Sequence, residues 1–144
     1  MGWKIVSLAL ATLPLFAMSC SAAAPRNEVV EIACGEFSAS PGEQAKMTRD
    51  VTILKGATIT LRLCANPSTG FEWEDAVIST ASVLIQQSRQ YIEPGVTMPG
   101  SAGLEEWVFE AVGIGDCTVT LSYSRPWEGG EKGIWQFELQ ALVT

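Results

Sequence analysis

The sequence predicts one all-β domain, a sandwich or a barrel. Three observations lead there. Apolar and polar residues alternate with period two in several short runs, and glycine and proline clusters separate those runs at roughly regular intervals. No stretch holds apolar residues at helical spacing over several turns, and many short strands with regular turn signals indicate a sandwich or barrel. At 144 residues the chain has room for one ordinary domain.

Lys4 opens the chain with one positive charge, and residues 5–18 form a nearly uncharged apolar run. Such a run is too short to cross a bilayer but suits the hydrophobic segment of a signal peptide. Ala17-Met18-Ser19-Cys20 resembles a bacterial lipobox, in which Cys20 is lipidated, although Ala17 stands where leucine is usual. Cleavage among Ser21, Ala22 and Ala23 is the alternative, since small residues suit the peptidase. The expected organisation is a lipoprotein-type signal over 1–20, a small polar tether over 21–27 and the folded domain over 28–144. The expected location is the cell envelope, periplasm or surface, or the medium.

Within the domain, Val51, Ile53, Ile59, Leu61 and Leu63 point one way, and Thr52, Thr58, Thr60 and Arg62 the other. Lys55-Gly56 lies between these two runs as a turn. Residues 83–92, Trp107-Val108-Phe109, Val119 to Tyr123 and Trp135 to Leu139 repeat the signal. Branched residues in these runs suit a pleated, half-buried surface. Trp107, Phe109, Trp135 and Phe137 belong to the core or its rim, and Glu72, Glu74 and Asp75 to a solvated face. Turn clusters fall at 66–70, 94–103, 113–116 and 126–133.

The formal charge is −7, and loss of the signal removes Lys4 but no acid. That field disfavours nucleic acid and anionic membrane surfaces as partners, leaving an N-terminal lipid as the expected contact with a membrane. The chain has no histidine, which excludes Ser-His-Asp and Cys-His catalysis. After Cys20 come Cys34, Cys64 and Cys117, none in a Cys-x-x-Cys pair, so neither a zinc site nor any other cofactor is expected. In an oxidising compartment one pair can bridge. Cys34 with Cys64 is the preferred pair, both being placed on early strands, although spacing alone does not decide it. Cys117 would remain a buried thiol.

Three loops stand out. Asn66-Pro67-Ser68-Thr69-Gly70-Phe71 follows the best alternating run. Pro67 fixes its own φ, Gly70 permits positive φ, and Asn66 can bond neighbouring backbone, so a stiff, projecting turn is expected. Residues 93–103 include Pro94, Gly95, Met98, Pro99, Gly100, Ser101, Ala102 and Gly103, a composition for an extended segment able to pair with another chain. Arg125-Pro126-Trp127 closes a strand, and Trp and Arg are the types most enriched in binding hot spots. A plain connection at 66–71, and Trp127 folded back beneath Arg125, are the competing structural readings.

Taken together, these loops resemble the chagasin family of inhibitors of papain-like cysteine proteases, over about residues 29–143. The motifs are Asn-Pro-Ser-Thr-Gly-Phe at 66–71, Gly100-Ser101-Ala102-Gly103, and Arg-Pro-Trp at 125–127, with 133–137 also similar. Ala102 departs from the pattern, which usually has glycine there. The resemblance implies an immunoglobulin-like antiparallel sandwich of about seven or eight strands with the loops at one end. It implies a reversible competitive inhibitor, not an enzyme, and a monomer is expected. Asn66, Pro67, Ser68, Thr69, Gly70 and Phe71 would enter the protease cleft, with Thr69 nearest the reactive centre. Gly100, Ser101, Ala102 and Gly103 would run along the non-primed side with Met98 in an apolar S2 pocket. Arg125, Pro126 and Trp127 would pack on the primed side. An envelope adhesion or interaction domain with a non-protease partner is the alternative.

Overall fold

The computed structural model describes residues 25–37, 43–96 and 98–144. The alternating runs become strands β1 (Glu28–Ile32), β2 (Ala45–Ile53), β3 (Thr58–Ala65), β4 (Glu72–Trp73), β5 (Val77–Ile78), β6 (Leu84–Ile92), β7 (Gly103–Ala111), β8 (Gly115–Ser124) and β9 (Trp135–Val143). One sheet has the order β1-β3-β7-β6. The other runs β2-β9-β8-β4, with β5 also on β8. The all-β sandwich therefore stands, with two differences from the expected form. There are nine strands among the described residues, because β4 and β5 each pair with β8 over only two positions. The sheets are also mixed, since β1 runs parallel to β3 and β2 parallel to β9. The chain passes from one sheet to the other between β1 and β2, and the edge strands it lays down need no hairpin with their neighbours.

Burial follows the alternation closely. Ile59, Leu61 and Leu63 of β3 are fully buried against Phe109, Val119, Leu121, Phe137 and Leu139 of the same core, while Thr58, Thr60 and Arg62 face outward. Trp107 joins that core and Trp135 packs on its rim. Cys64 has outward parity yet is fully buried, because a disulfide to Cys34 lays the one-turn 3-10 segment Cys34–Glu36 over it. Cys34 thus sits in that turn, not on a strand as expected, and Cys117 is a buried free thiol. The proposed signal and Cys20 lie outside the described residues, as does most of the tether. Residues 25–27 are irregular and exposed, and Asn27 accepts a bond from the Thr58 amide at 3.2 Å.

On the outer face of the first sheet, register brings Glu31, Arg62, Glu106 and Gln90 into one row across four strands. Arg62 Nε donates to Glu106 Oε2 at 2.7 Å, Gln90 Nε2 donates to Glu106 Oε1 at 2.7 Å, and Arg62 Nη1 reaches Glu31 at 3.5 Å. Hydrogen bonds first from Arg62 and then from Gln90 hold the Glu106 carboxyl below its ordinary pKa of 4.5. A lowered folded-state pKa stabilises the fold above the unfolded value, and that contribution disappears as pH falls through the folded value. Glu106→Gln should therefore melt several degrees below wild type at neutral pH. The gap should close as pH drops below the carboxylate range, and parallel thermal melts from pH 7 to pH 2 would read it.

Candidate functional site

Strand register, not loop sequence, gathers the three loops. Ala65 at the end of β3 pairs with Gly103 at the start of β7, and Ile92 at the end of β6 lies opposite Leu104. Glu72 of β4 pairs with Ser124, and Tyr123 of β8 with Trp135 of β9. The segments 66–71, 93–102 and 125–134 therefore emerge at the same pole of the sandwich.

The first loop is a capped single turn. Asn66 precedes the 3-10 segment Pro67–Thr69, and its Oδ1 accepts from Ser68 N at 3.2 Å and Ser68 Oγ at 2.6 Å. The Asn66 carbonyl accepts from Thr69 N at 3.1 Å and Thr69 Oγ1 at 2.7 Å. Gly70 closes the turn in the left-handed region, with φ of 79°. Pro67, Ser68 and Thr69 stand exposed at the tip, while Phe71 turns inward, only 9% exposed, and stacks on Tyr123 at 5.7 Å.

In the second loop Met98 is 65% exposed and Gly100 is open to solvent. Ser101 N donates to the Met98 carbonyl at 2.9 Å, and Met98 N donates to Ser101 Oγ at 3.2 Å. Ser101 and Ala102 are half-buried. Gly103 is buried in strand pairing, where a Cβ would collide with the Ile92 carbonyl oxygen and the Tyr91 hydroxyl. Phe71 and Gly103, assigned from the motifs to protease contact, thus serve the base of the loops and not their tips.

In the third loop Arg125 N donates to the Glu131 carbonyl at 2.8 Å and Gly130 N to the Trp127 carbonyl at 3.1 Å, closing a tight hairpin. The Arg125 guanidinium lies 4.4 Å over the Phe71 ring and 5.7 Å from the Trp127 ring, and pairs with Glu131 at 3.1 Å. Pro126 is exposed and Trp127 is 52% exposed, with its indole edge lying against Gly70 of the first loop. Trp127 is therefore neither folded into the core nor free of its neighbours.

Two residues outside the motifs matter to this geometry. Tyr123 is buried, and its hydroxyl accepts the Asn66 amide at 2.8 Å. Burial pushes its phenol pKa up, so the hydroxyl stays protonated at neutral pH. Trp73 Nε1 donates to the Cys64 carbonyl at 3.0 Å, two residues before Asn66. Alternation alone marks Tyr123 as core; its place two residues before Arg125 is the signal that could have marked it as a support.

Among the described residues no group of acidic, cysteine or histidine side chains could hold a metal ion. The arrangement is an exposed edge, apolar at Met98 and Trp127 and hydroxylated at Ser68 and Thr69.

The family model described as Chagasin family peptidase inhibitor I42 matches residues 52–140, a span that contains all three loops. The chain belongs to the chagasin family. Amoebiasin-2 of Entamoeba histolytica is 33% identical over 86 residues, covering 59% of this chain and 69% of that protein. Chagasin of Trypanosoma cruzi is 28% identical over 82 residues, covering 55% of this chain and 74% of its own length. The fold is similar to the crystal structure of the cysteine protease inhibitor EhICP2 from Entamoeba histolytica. That match has a TM-score of 0.58 at 21% identity and covers 69% of this chain and 94% of the other. It is also similar to PbICP-C in complex with falcipain-2, with a TM-score of 0.63 at 12% identity over 82% and 100% of the two chains. Family membership makes this chagasin-family protein a peptidase inhibitor and not an enzyme.

Gly70→Ala should be costly for two reasons. A side chain at φ of 79° is strained by about 1–2 kcal/mol. Its Cβ would also come within 2.8 Å of the Trp127 ring, forcing the indole aside. Urea unfolding should show the stability loss, and the Trp127 indole N–H resonance should move more than those of the core tryptophans.

Proposed function

We propose that this protein is a reversible competitive inhibitor of papain-like cysteine proteases that blocks the active-site cleft with its three loops. The observation that carries the proposal is the single edge on which Thr69, Met98 and Trp127 stand exposed from different loops, in a chain of the chagasin family. The turn 66–71 enters the cleft with Thr69 nearest the catalytic pair, and Gly70 leaves room for the Trp127 indole packed beside it. The segment 98–102, a closed turn and not the extended segment expected from its composition, lies along the non-primed side with Met98 in the S2 pocket. Trp127 packs on the primed side, its indole steadied by Gly70 and Arg125. Because the first turn is closed by its own hydrogen bonds, docking orders little additional backbone, and modest contacts suffice for tight binding. The turn escapes cleavage because it need not present a carbonyl to the thiolate in attack geometry.

Titration against active-site-titrated papain and a cathepsin panel tests the reading. Trp127→Ala should weaken inhibition by about 2 kcal/mol, roughly thirtyfold, with little change in melting temperature. Unchanged inhibition would refute the three-loop wedge, and a parallel fall in inhibition and stability would make Trp127 a structural residue.

The same proposal extends to location: the chain is exported and held at the envelope through a lipid on Cys20. The apolar run 5–18 and the Ala17-Met18-Ser19-Cys20 sequence support it, as does a disulfide suited to an oxidising compartment. Cys20→Ala should release a soluble form or leave the precursor unprocessed, read by fractionation and mass spectrometry of the N-terminal peptide. A soluble wild-type protein beginning near Ala22 without lipid would refute the anchor.

A further inference from the structure

The second loop is closed mainly on itself. Among the described residues of 93–102, the bonds at Met98 and Ser101 join the loop to its own atoms. The bond that reaches outside comes from the Asn66 side chain, whose Nδ2 donates to the Gly100 carbonyl at 2.9 Å. The other polar atoms of Asn66 are engaged too, with Oδ1 accepting from Ser68, the carbonyl accepting from Thr69, and the backbone N–H donating to Tyr123 Oη at 2.8 Å. A carboxylate could cap Ser68 but could not donate to Gly100, so an amide is needed to serve both loops. Tyr123 is held in turn by its ring, stacked on Trp135 at 4.8 Å and tilted against Trp73 at 4.9 Å. It also lies two residues before Arg125, on the strand that leads into the third loop.

We infer that Tyr123 and Asn66 are positioning residues that lock the three loops into one unit, with Tyr123 setting the first loop relative to the third and Asn66 carrying the second. The inference rests on the inhibitor reading for its functional consequence, though not for its structural one. Met98 then reaches its pocket because the turn beside it is fixed, and the energy of the Met98 contact depends on a hydrogen bond made elsewhere. Neither residue needs to touch the protease through its own side chain to act this way.

Two readouts separate the strut from the inhibitor reading. In the free protein, amide hydrogen exchange at Met98 and Ser101 should speed up several-fold in Asn66→Asp and in Tyr123→Phe, while exchange in the β8–β9 core stays slow. In papain inhibition, Met98→Ala should cost roughly tenfold in the wild-type background from lost apolar burial. It should cost less than about threefold in Asn66→Asp, a coupling that a double-mutant cycle measures. Tyr123→Phe keeps the stacked ring, so it reports on the hydroxyl even if Asn66→Asp folds poorly. Exchange at 98–101 that stays at the wild-type rate in Tyr123→Phe would overturn the strut, as would additive effects of Asn66→Asp and Met98→Ala. A wild-type protein inert toward every protease would instead refute the inhibitor reading, with the exchange experiment still deciding the strut.

Discussion

Everything at the loop pole depends on a cluster of aromatic rings just beneath it, all buried except the half-buried Trp135. Tyr123 and Trp135 stack at 4.8 Å with planes 10° apart, and Trp135 stacks on Phe37 at 4.7 Å. Trp73 meets Tyr123 on one side and Trp107 edge-on at 6.2 Å on the other. Trp107 belongs to one sheet and Trp73, Tyr123 and Trp135 to the other, so the cluster joins the two layers where the loops leave them. Such rings bury large areas and prefer stacked or edge-on contacts, each such pair adding about 0.5–1.5 kcal/mol beyond its area burial. Two of their polar atoms bond the end of β3 and the residue that follows it: the Trp73 indole donates to the Cys64 carbonyl, and the Tyr123 hydroxyl accepts from the Asn66 amide.

The first loop is consequently held from below and from both sides. The Cys34–Cys64 bridge, spanning 30 residues, ends two positions before Asn66 and stabilises the fold by about 3.6 kcal/mol on chain-entropy grounds. Arg125 covers the inward Phe71, and the Trp127 edge closes against Gly70. The residues divide by role along each loop. Those at the base, Phe71, Gly103 and Arg125, spend their contacts on the sandwich, whereas Ser68, Thr69, Met98, Gly100 and Trp127 remain available to a partner. An edge of this kind can fill a cleft without first being ordered by it.

Much of this was legible in the sequence. Period-two alternation identified β3, β7, β8 and β9, because an inward residue at every second position is the condition for burying one face of a strand. Pro67, Gly70 and Asn66 announced a stiff turn, since their backbone restrictions are local properties. The motif spacing identified the family. Less legible were β4 and β5, too short for any period to show, and the parallel edge pairs, which leave no mark on local composition.

The sequence by itself determined which residues alternate, where the chain must turn and which motifs it carries, because each depends on near neighbours along the chain. Only the tertiary structure decided that Phe71 and Gly103 face inward, that Cys64 is buried against its parity, and that Asn66 bonds both Tyr123 and Gly100. The two Asn66 bonds join segments 34 and 57 residues apart. The register of two sheets and the packing of five aromatic rings bring them together, and no local pattern encodes that meeting.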